Sequence, residues 1–402
     1  MSELKRSLGL PLLLFYGLGN ILGAGIYVLI GEVAAEAALY MPVAFLTASV
    51  VAGFSAFSYA ELSARFPFSA GEAVYIQEGF HHTALSRLTG LLIAVAGMVS
   101  AATIARGFYG YFHDFIELPE PLVVAGIILL LGLLAIWGIS QSVTAAALLT
   151  LVEIAGLLLV IWAGRDVLGS LPAHLDSLLP PPEASAWTSI LFGAFLAFYA
   201  FIGFEDMVNV AEEVKNPSFT MPAAILLALL IATVLYSLVS LVAVLALNQD
   251  ALAQSTAPLA DVLAATSTIN PDIVSVIAML AIVNGALIQI IMASRIFYGM
   301  ASRGWIWAGL ATVHYRTRTP VRATWLVILI ILGLALLFPL GALARGTSLL
   351  VLVVFALVNA ALIAVKRTQP AAPGILNIPV WVPVIGLLTS TGLTLFQLLS
   401  IG

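Results

Sequence analysis

Residues 192–217 read FGAFLAFYAFIGFEDMVNVAEEVKNP, an apolar aromatic run interrupted at Gly203 and followed at once by two acids, Glu205 and Asp206. An acid at the depth of a bilayer core is expensive on an intact helix and needs a reason. A helix broken at the glycine supplies one. The new N-terminus stabilises negative charge, and the last carbonyls of the preceding half, from Tyr199 to Ile202, accept from an ammonium group. A second stretch, GLGNILGAGIY at 17–27, sets Gly19, Gly23 and Gly25 within seven positions and loosens its helix in the same way. There Gly23, Ala24 and Gly25, with Ile26 beside them, would present backbone N–H groups to a carboxylate. Opposed breaks would thus hold an α-amino acid by both charged ends. Close packing through the Gly19/Gly23 spacing is the competing possibility. A dinucleotide fingerprint is excluded, because the G-x-G-x-x-G spacing and a preceding strand are both missing. Tyr199 or Phe201 is the candidate gate.

The composition fits helices of this kind throughout the chain. Of 402 residues, 62% are hydrophobic and 9% charged, against roughly 45–50% and 25% in soluble domains. Too little polar surface remains for a water-soluble domain. Charge-free runs mark about eleven spans, near 10–34, 42–63, 86–112, 121–139, 143–164, 188–211, 222–247, 272–300, 322–339, 346–365 and 379–400. They are continuously apolar rather than alternating, which points to an all-α polytopic membrane protein and away from an outer-membrane barrel. The first run exceeds the apolar core of a signal peptide and is expected to be a retained span. A net charge of −5 with scattered basic residues gives no footprint for nucleic acid. No cysteine is present, so thiol chemistry and thiolate metal sites are ruled out. The five histidines fall in loops or at span ends with no metal-cage spacing, so neither a metal nor a cofactor is expected, and no enzymatic constellation lies within the spans.

Orientation follows from the basic residues, which collect in cytoplasmic loops. With the N-terminus inside, Lys5, Arg6, Arg65, Arg87, Lys215, Arg295, Arg303, Arg316, Arg318, Arg322, Lys366 and Arg367 fall inward, 12 of the 15 Lys and Arg. Eleven spans then put the C-terminus outside. MPVAFL at Met41 and MPAAIL at Met221 are offset by 180 residues, and the Gly23 and Gly203 interruptions by about the same distance. Five helices separate the copies, so the second enters from the opposite side, as in inverted-topology transporters. The expected organisation is one transporter domain over 1–402, with a first repeat at 10–164, a second at 188–365 and an eleventh helix at 379–400.

GNILGAGIYV, SYAELSARFPFSAGEAVY at 58–75, FYAFIGFEDMVNVAEEVKNPSFTMP at 198–222, and SRIFYGMASRGW with RTRTPVRAT at 294–324 together resemble the amino acid-polyamine-organocation superfamily of transporters. VSAATIARGFYGYF at 99–112 further resembles the cationic amino acid transporter branch and its bacterial relatives. The resemblance implies a five-plus-five inverted-repeat, LeuT-like fold with helices 1 and 6 broken, substrate held at the breaks, and alternating access. It places Gly23, Ala24 and Gly25 at the carboxylate loop, Tyr199 at an aromatic gate that is tryptophan in the arginine–agmatine antiporter, and Glu205 where that antiporter also has a glutamate. Most members have twelve helices, one more than is expected here, which bears on oligomeric contacts; the oligomeric state itself is left open.

Glu153 is the only charge between Pro121 and Gly164. Ten residues into its span, it lies about 15 Å deep, near the bilayer centre. A proton-coupled relative carries lysine in this region, so Glu153 is a candidate coupling acid; Glu205, expected to face the cavity, is the other. Arg106 is a possible support, or pairs with an outer acid. Asn284 and Gln289 are expected to make interhelical hydrogen bonds. Glu212, Glu213 and Lys215 cap helix 6 or form an inner gate, with Arg65 as a partner. The expected function is uptake of an L-amino acid through the cell membrane by proton-coupled symport, sodium being the less favoured ion. An amino acid or polyamine exchanger of the same fold is the alternative.

Overall fold

The computed structural model describes residues 6, 8–23, 25–68, 71–113, 115–137, 143–302, 304–315, 317, 319–370 and 373–400. Of the inner basic residues counted above, Lys5, Arg303, Arg316 and Arg318 lie outside them. The first expected span is two helices, α1 (Leu10–Leu22) and α2 (Gly25–Ala37). Then come α3 (Met41–Arg65), α4 (Gly71–Phe80), α5 (Thr83–His113), α6 (Glu120–Trp137) and α7 (Val143–Ala163). Two short helices, α8 (Arg165–Gly169) and α9 (Leu171–Leu178), lead to α10 (Ala184–Ala200). After a break the chain resumes as a 3-10 helix, Glu205–Glu213. Next are α11 (Pro217–Ala246), α12 (Gln249–Gln254), α13 (Pro258–Thr266) and α14 (Asp272–Ser302). The remainder is α15 (Val321–Leu337), α16 (Leu340–Thr368) and α17 (Trp381–Ser400). No strand occurs among the described residues, only an isolated bridge between Leu8 and Val214.

Among the described residues, seven helical stretches are long and apolar enough to cross a membrane, the first of which, Leu10–Arg65, contains α1, α2 and α3. Three shorter apolar helices lie in α6, α7 and α15. The perimeter agrees with the composition. Leu122, Leu329 and Leu388 are 65%, 62% and 65% exposed, a pattern that suits hydrocarbon rather than water. The chain is therefore a polytopic, all-helical membrane protein.

Proline sets several starts, since it lacks an N–H that the first turn would leave unpaired anyway. Pro11 opens α1 and Pro42 opens α3. In the second half the start differs from expectation. Asn216 adopts a left-handed conformation (φ 52°), Pro217 begins α11, and Pro222 sits one turn inside the helix rather than at its start. The connecting helices α4, α8, α9, α12 and α13 lie in segments expected to be loops.

The packing is arranged in matched pairs. The helices α5 and α14 pack on each other, as do α3 and α11, and α6 and α15. Other contacts come in twos. Where α1 packs on α11, α10 packs on α3; where α1 packs on α7, α10 packs on α16. Likewise α5 meets α16 and α15, while α14 meets α7 and α6. Even the connecting helices follow this rule, with α4 on α16 and α5, and α13 on α7 and α14.

Candidate functional site

Both breaks are present, and they face each other. The helix α1 ends at Gly23, whose N–H donates to Gly19 O at 3.1 Å. That corrects one expectation: the Gly23 N–H closes its own helix and is not offered to a ligand. Ala24, expected in the carboxylate loop, lies outside the described residues. The helix α2 begins at Gly25, and the first N–H groups of a helix have no partner within it. A Cβ on Gly25 would lie 2.3 Å from Ala200 Cα and 2.9 Å from Ala200 O, so only glycine lets the start of α2 touch the end of α10. Ile26 is fully buried in the core and lines neither cavity described below.

The second break centres on Gly203. Its φ of +134° is one that side chains rarely adopt, and a Cβ there would press within 2.8 Å of the Asn20 backbone. Glycine is required twice over, for conformation and for contact. The turn places Phe201 N–H on Phe198 O and Ile202 N–H on Tyr199 O. Of the four carbonyls expected to meet an ammonium group, those of Tyr199 and Ala200 thus already accept, Ala200 O from the Tyr236 hydroxyl at 3.0 Å. The same hydroxyl reaches Ile21 O at 2.8 Å. Tyr236 of α11 therefore brackets the two breaks with one oxygen.

Side chains after the second break turn inward. Glu205, 3% exposed, accepts the Gly203 N–H on Oε2 at 2.8 Å. Asp206, also 3% exposed, accepts on Oδ2 from Asn20 Nδ2 at 2.7 Å and from Gln289 Nε2 at 3.2 Å. Asn20 Nδ2 also lies 3.1 Å from Gly203 O. Two adjoining cavities meet here, each enclosing about 250 Å³ between its atoms, openings included. Glu205, Asp206, Gln289 and Thr347 line the first, with apolar walls such as Ile93 and Val351. Asn20, Tyr199, Gly285 and Gln289 line the second, and Ser100 and Ile202 line both.

The expected residues therefore divide. Tyr199 is at the cavity, its hydroxyl 2.9 Å from Ser100 Oγ. Phe201 is not. Its ring packs 5.2 Å from Tyr236 and 6.5 Å from Phe45. Arg106 is also elsewhere, bridged to Glu120 at 2.6 Å and donating to Ala335 O at 2.8 Å, which is the outer-acid pairing. Glu153 is buried but lines neither cavity. Its Oε1 lies 3.4 Å from Asn284 Nδ2, its Oε2 has no partner among the described residues, and its backbone carbonyl accepts from the Tyr27 hydroxyl at 2.8 Å. Arg65 meets Glu61 rather than the acids of residues 212 and 213, and Lys366 joins the same carboxylate at 2.7 Å. Gln289 makes the interhelical hydrogen bond expected of it, to Asp206, whereas Asn20 and Tyr236 were missed, although Asn20 lies inside the glycine motif.

Outside the spans, Glu72 on α4 is 3% exposed and receives the Tyr59 hydroxyl at 3.4 Å. Burial, with the Asp206 carboxylate adding to it, pushes its carboxyl up to about 8.

Comparison with known proteins accords with this geometry. An amino acid permease family model matches residues 8–400. The branched-chain amino acid permease BcaP of Bacillus subtilis is 29% identical, over 96% of this chain and 86% of its own length. The methylthioribose transporter of the same organism is 28% identical over the whole chain and 89% of its own. Cationic amino acid transporter 2 of Arabidopsis thaliana, vacuolar, is 30% identical over 92% of this chain and 61% of its own. A match that runs nearly end to end over this helical frame leaves one conclusion: the chain belongs to the amino acid permease family, within the amino acid-polyamine-organocation superfamily, and is a transporter rather than an enzyme.

Proposed function

We propose that the protein imports an L-amino acid across the cell membrane by alternating access, coupled to protons. The observation that carries this reading is the meeting of two helix breaks, at Gly23–Gly25 and Gly203, beside a cavity lined by Glu205 and Asp206. The start of α2 offers N–H groups to the substrate carboxylate, and the carbonyls of the Gly203 turn offer acceptors to its ammonium. Tyr199 covers the second cavity. Buried acids on the cavity wall that can take up and release a proton support proton coupling, with sodium as the alternative ion.

Alternating access is supported by the paired contacts. Exchanging α1 with α10, α3 with α11, α4 with α13, α5 with α14, α6 with α15 and α7 with α16 turns each contact given above into another one present. A pseudo-two-fold between inverted five-helix repeats, 10–164 and 188–365, produces that behaviour. With α17 outside the repeats this reading counts eleven spans, and the distribution of Lys and Arg supports a cytoplasmic N-terminus.

The test is uptake into proteoliposomes. An inward proton gradient should drive radiolabelled L-amino acid above its equilibrium level without internal substrate and without sodium. Uptake that ignores the gradient and requires internal amino acid would replace symport with exchange.

A further inference from the structure

The cavity walls carry a polar imbalance that the helix breaks do not answer. Asn20 and Gln289 both direct their side-chain N–H groups to Asp206 Oδ2. This fixes their orientation, since turning either amide over would set a carbonyl oxygen against a carboxylate oxygen. Asn20 Oδ1 and Gln289 Oε1 are then left, both buried and both without a hydrogen-bond partner among the described residues. Their residues are only 4% and 5% exposed, and both line the second cavity. Gln289 also lines the first, where Glu205 and Asp206 stand. A buried acceptor without a donor costs about 1–3 kcal/mol. Here two of them stand with two carboxyl groups, and among the described residues no Lys, Arg or His lines either cavity. A water molecule can donate to a carbonyl but does not offset buried negative charge. What fits is a compact positive group.

We propose that Asn20, Asp206 and Gln289 form an acceptor-lined subsite for a monovalent cationic group of ammonium or alkali-ion chemistry. The group comes from one of two sources, an amine on the substrate side chain or a free alkali cation. The first rests on the transport reading above; the second does not. Because Asn20 belongs to α1, Asp206 to the 3-10 helix and Gln289 to α14, occupancy ties three elements together and stabilises the fold by mass action.

The test uses the full chain in lipid nanodiscs, with calorimetric binding and thermal unfolding. Ornithine is compared with norvaline, which has the same carbon chain without the terminal amine, and sodium chloride with choline chloride at matched ionic strength and pH. Either ornithine binds at least about tenfold more tightly than norvaline, about 1.4 kcal/mol, or sodium raises the melting temperature above choline. The effect seen is lost in Asp206→Asn and, independently, in Gln289→Leu. Norvaline binding at least as tightly as ornithine, with no sodium effect, overturns the subsite and leaves amino acid transport standing. A sodium effect without amino acid binding does the reverse. No amino acid binding together with no sodium effect overturns both, and an effect that survives both variants overturns the subsite. The wild-type comparison decides by itself if a variant fails to fold.

Discussion

Gly25→Val is the sharpest probe of where the substrate carboxylate sits. A Cβ at this position would be 2.3 Å from Ala200 Cα, 2.5 Å from Ala200 Cβ and 2.9 Å from Ala200 O. Two of these atoms are backbone, so no rotamer change relieves the clash. The start of α2 and the end of α10 have to part by roughly an ångström, in an interior packed as densely as a crystal. Inserting one methyl into such a core costs about 1–3 kcal/mol, and valine adds two more carbons and a stiff χ1. The gap opens where the two breaks meet, so both ends of a bound amino acid lose their shared geometry. Gly25→Ala should weaken binding by about tenfold or more if 1.4 kcal/mol or more of the strain falls on the bound state. Gly25→Val should abolish it.

The assay is ligand-induced thermal stabilisation of purified protein, with size-exclusion elution as the control for folding. Graded loss from glycine to alanine to valine supports the reading. A folded Gly25→Val protein that binds its amino acid with wild-type affinity would show that the substrate lies elsewhere.

Four further outcomes follow from the geometry. Tyr236→Phe removes a hydroxyl that serves Ile21 O and Ala200 O and should cost about 1–3 kcal/mol of stability, seen as a lower melting temperature in detergent; an unchanged one would mean the bracket does no work. Glu205→Gln keeps the size of a cavity-lining carboxyl but cannot titrate, so the pH profile of substrate binding should change, and an unaltered profile would remove Glu205 from the mechanism. Glu153→Gln should retain substrate exchange in liposomes and lose uphill uptake driven by protons; intact accumulation would refute it as the coupling group. Glu72 has its carboxyl raised from 4.5 to about 8, so the folded state binds the extra proton and stability should fall as pH rises from about 5 to 8. Thermal unfolding of Glu72→Gln across that window should show a shallower decline than wild type; parallel curves would contradict the assignment.

The helix breaks were legible because they leave local marks. Glycine in an apolar run, followed at once by acids, does not suit an unbroken helix at that depth, and Gly203 does take the conformation that glycine permits. The limits of the helices were readable for the same reason, charge being excluded from long apolar runs. Other features carried no local mark. Gly23 looks like a free donor until the α1 geometry places its N–H on Gly19 O. The link between Asn20 and Asp206 spans 186 residues, and that between Gln289 and Asp206 spans 83. Side-chain amides on apolar helices all look alike in sequence, so pairing across helices hides which one meets which acid. The connecting helix α4 holds acids and is only ten residues long, and it resembles a loop until its partners α5 and α16 are placed.

The two halves of the first span are held by different bonds but share one support, and this bears on how binding can drive movement. The helix α1 is tied through Asn20 to Gly203 O and Asp206, and through Phe15 O to Thr150 of α7 at 3.0 Å. The helix α2 is tied through Tyr27, whose carbonyl accepts from Tyr111 at 2.7 Å and whose hydroxyl donates to the Glu153 carbonyl. One turn of α7 therefore holds α1 through Thr150 and α2 through Glu153, while the Glu153 carboxyl reaches Asn284 on α14. A ligand shifts an equilibrium only by its differential affinity for the two states. On the reading proposed above, substrate at the breaks would touch both half-helices at once, whereas charge on Glu153 would act on their common support. Removing Thr150 should therefore loosen α1 alone, and removing the Tyr27 hydroxyl should loosen α2 alone. Hydrogen exchange on Thr150→Val and Tyr27→Phe tests this directly, since equal deprotection of both half-helices in either variant would mean that the first span moves as one body.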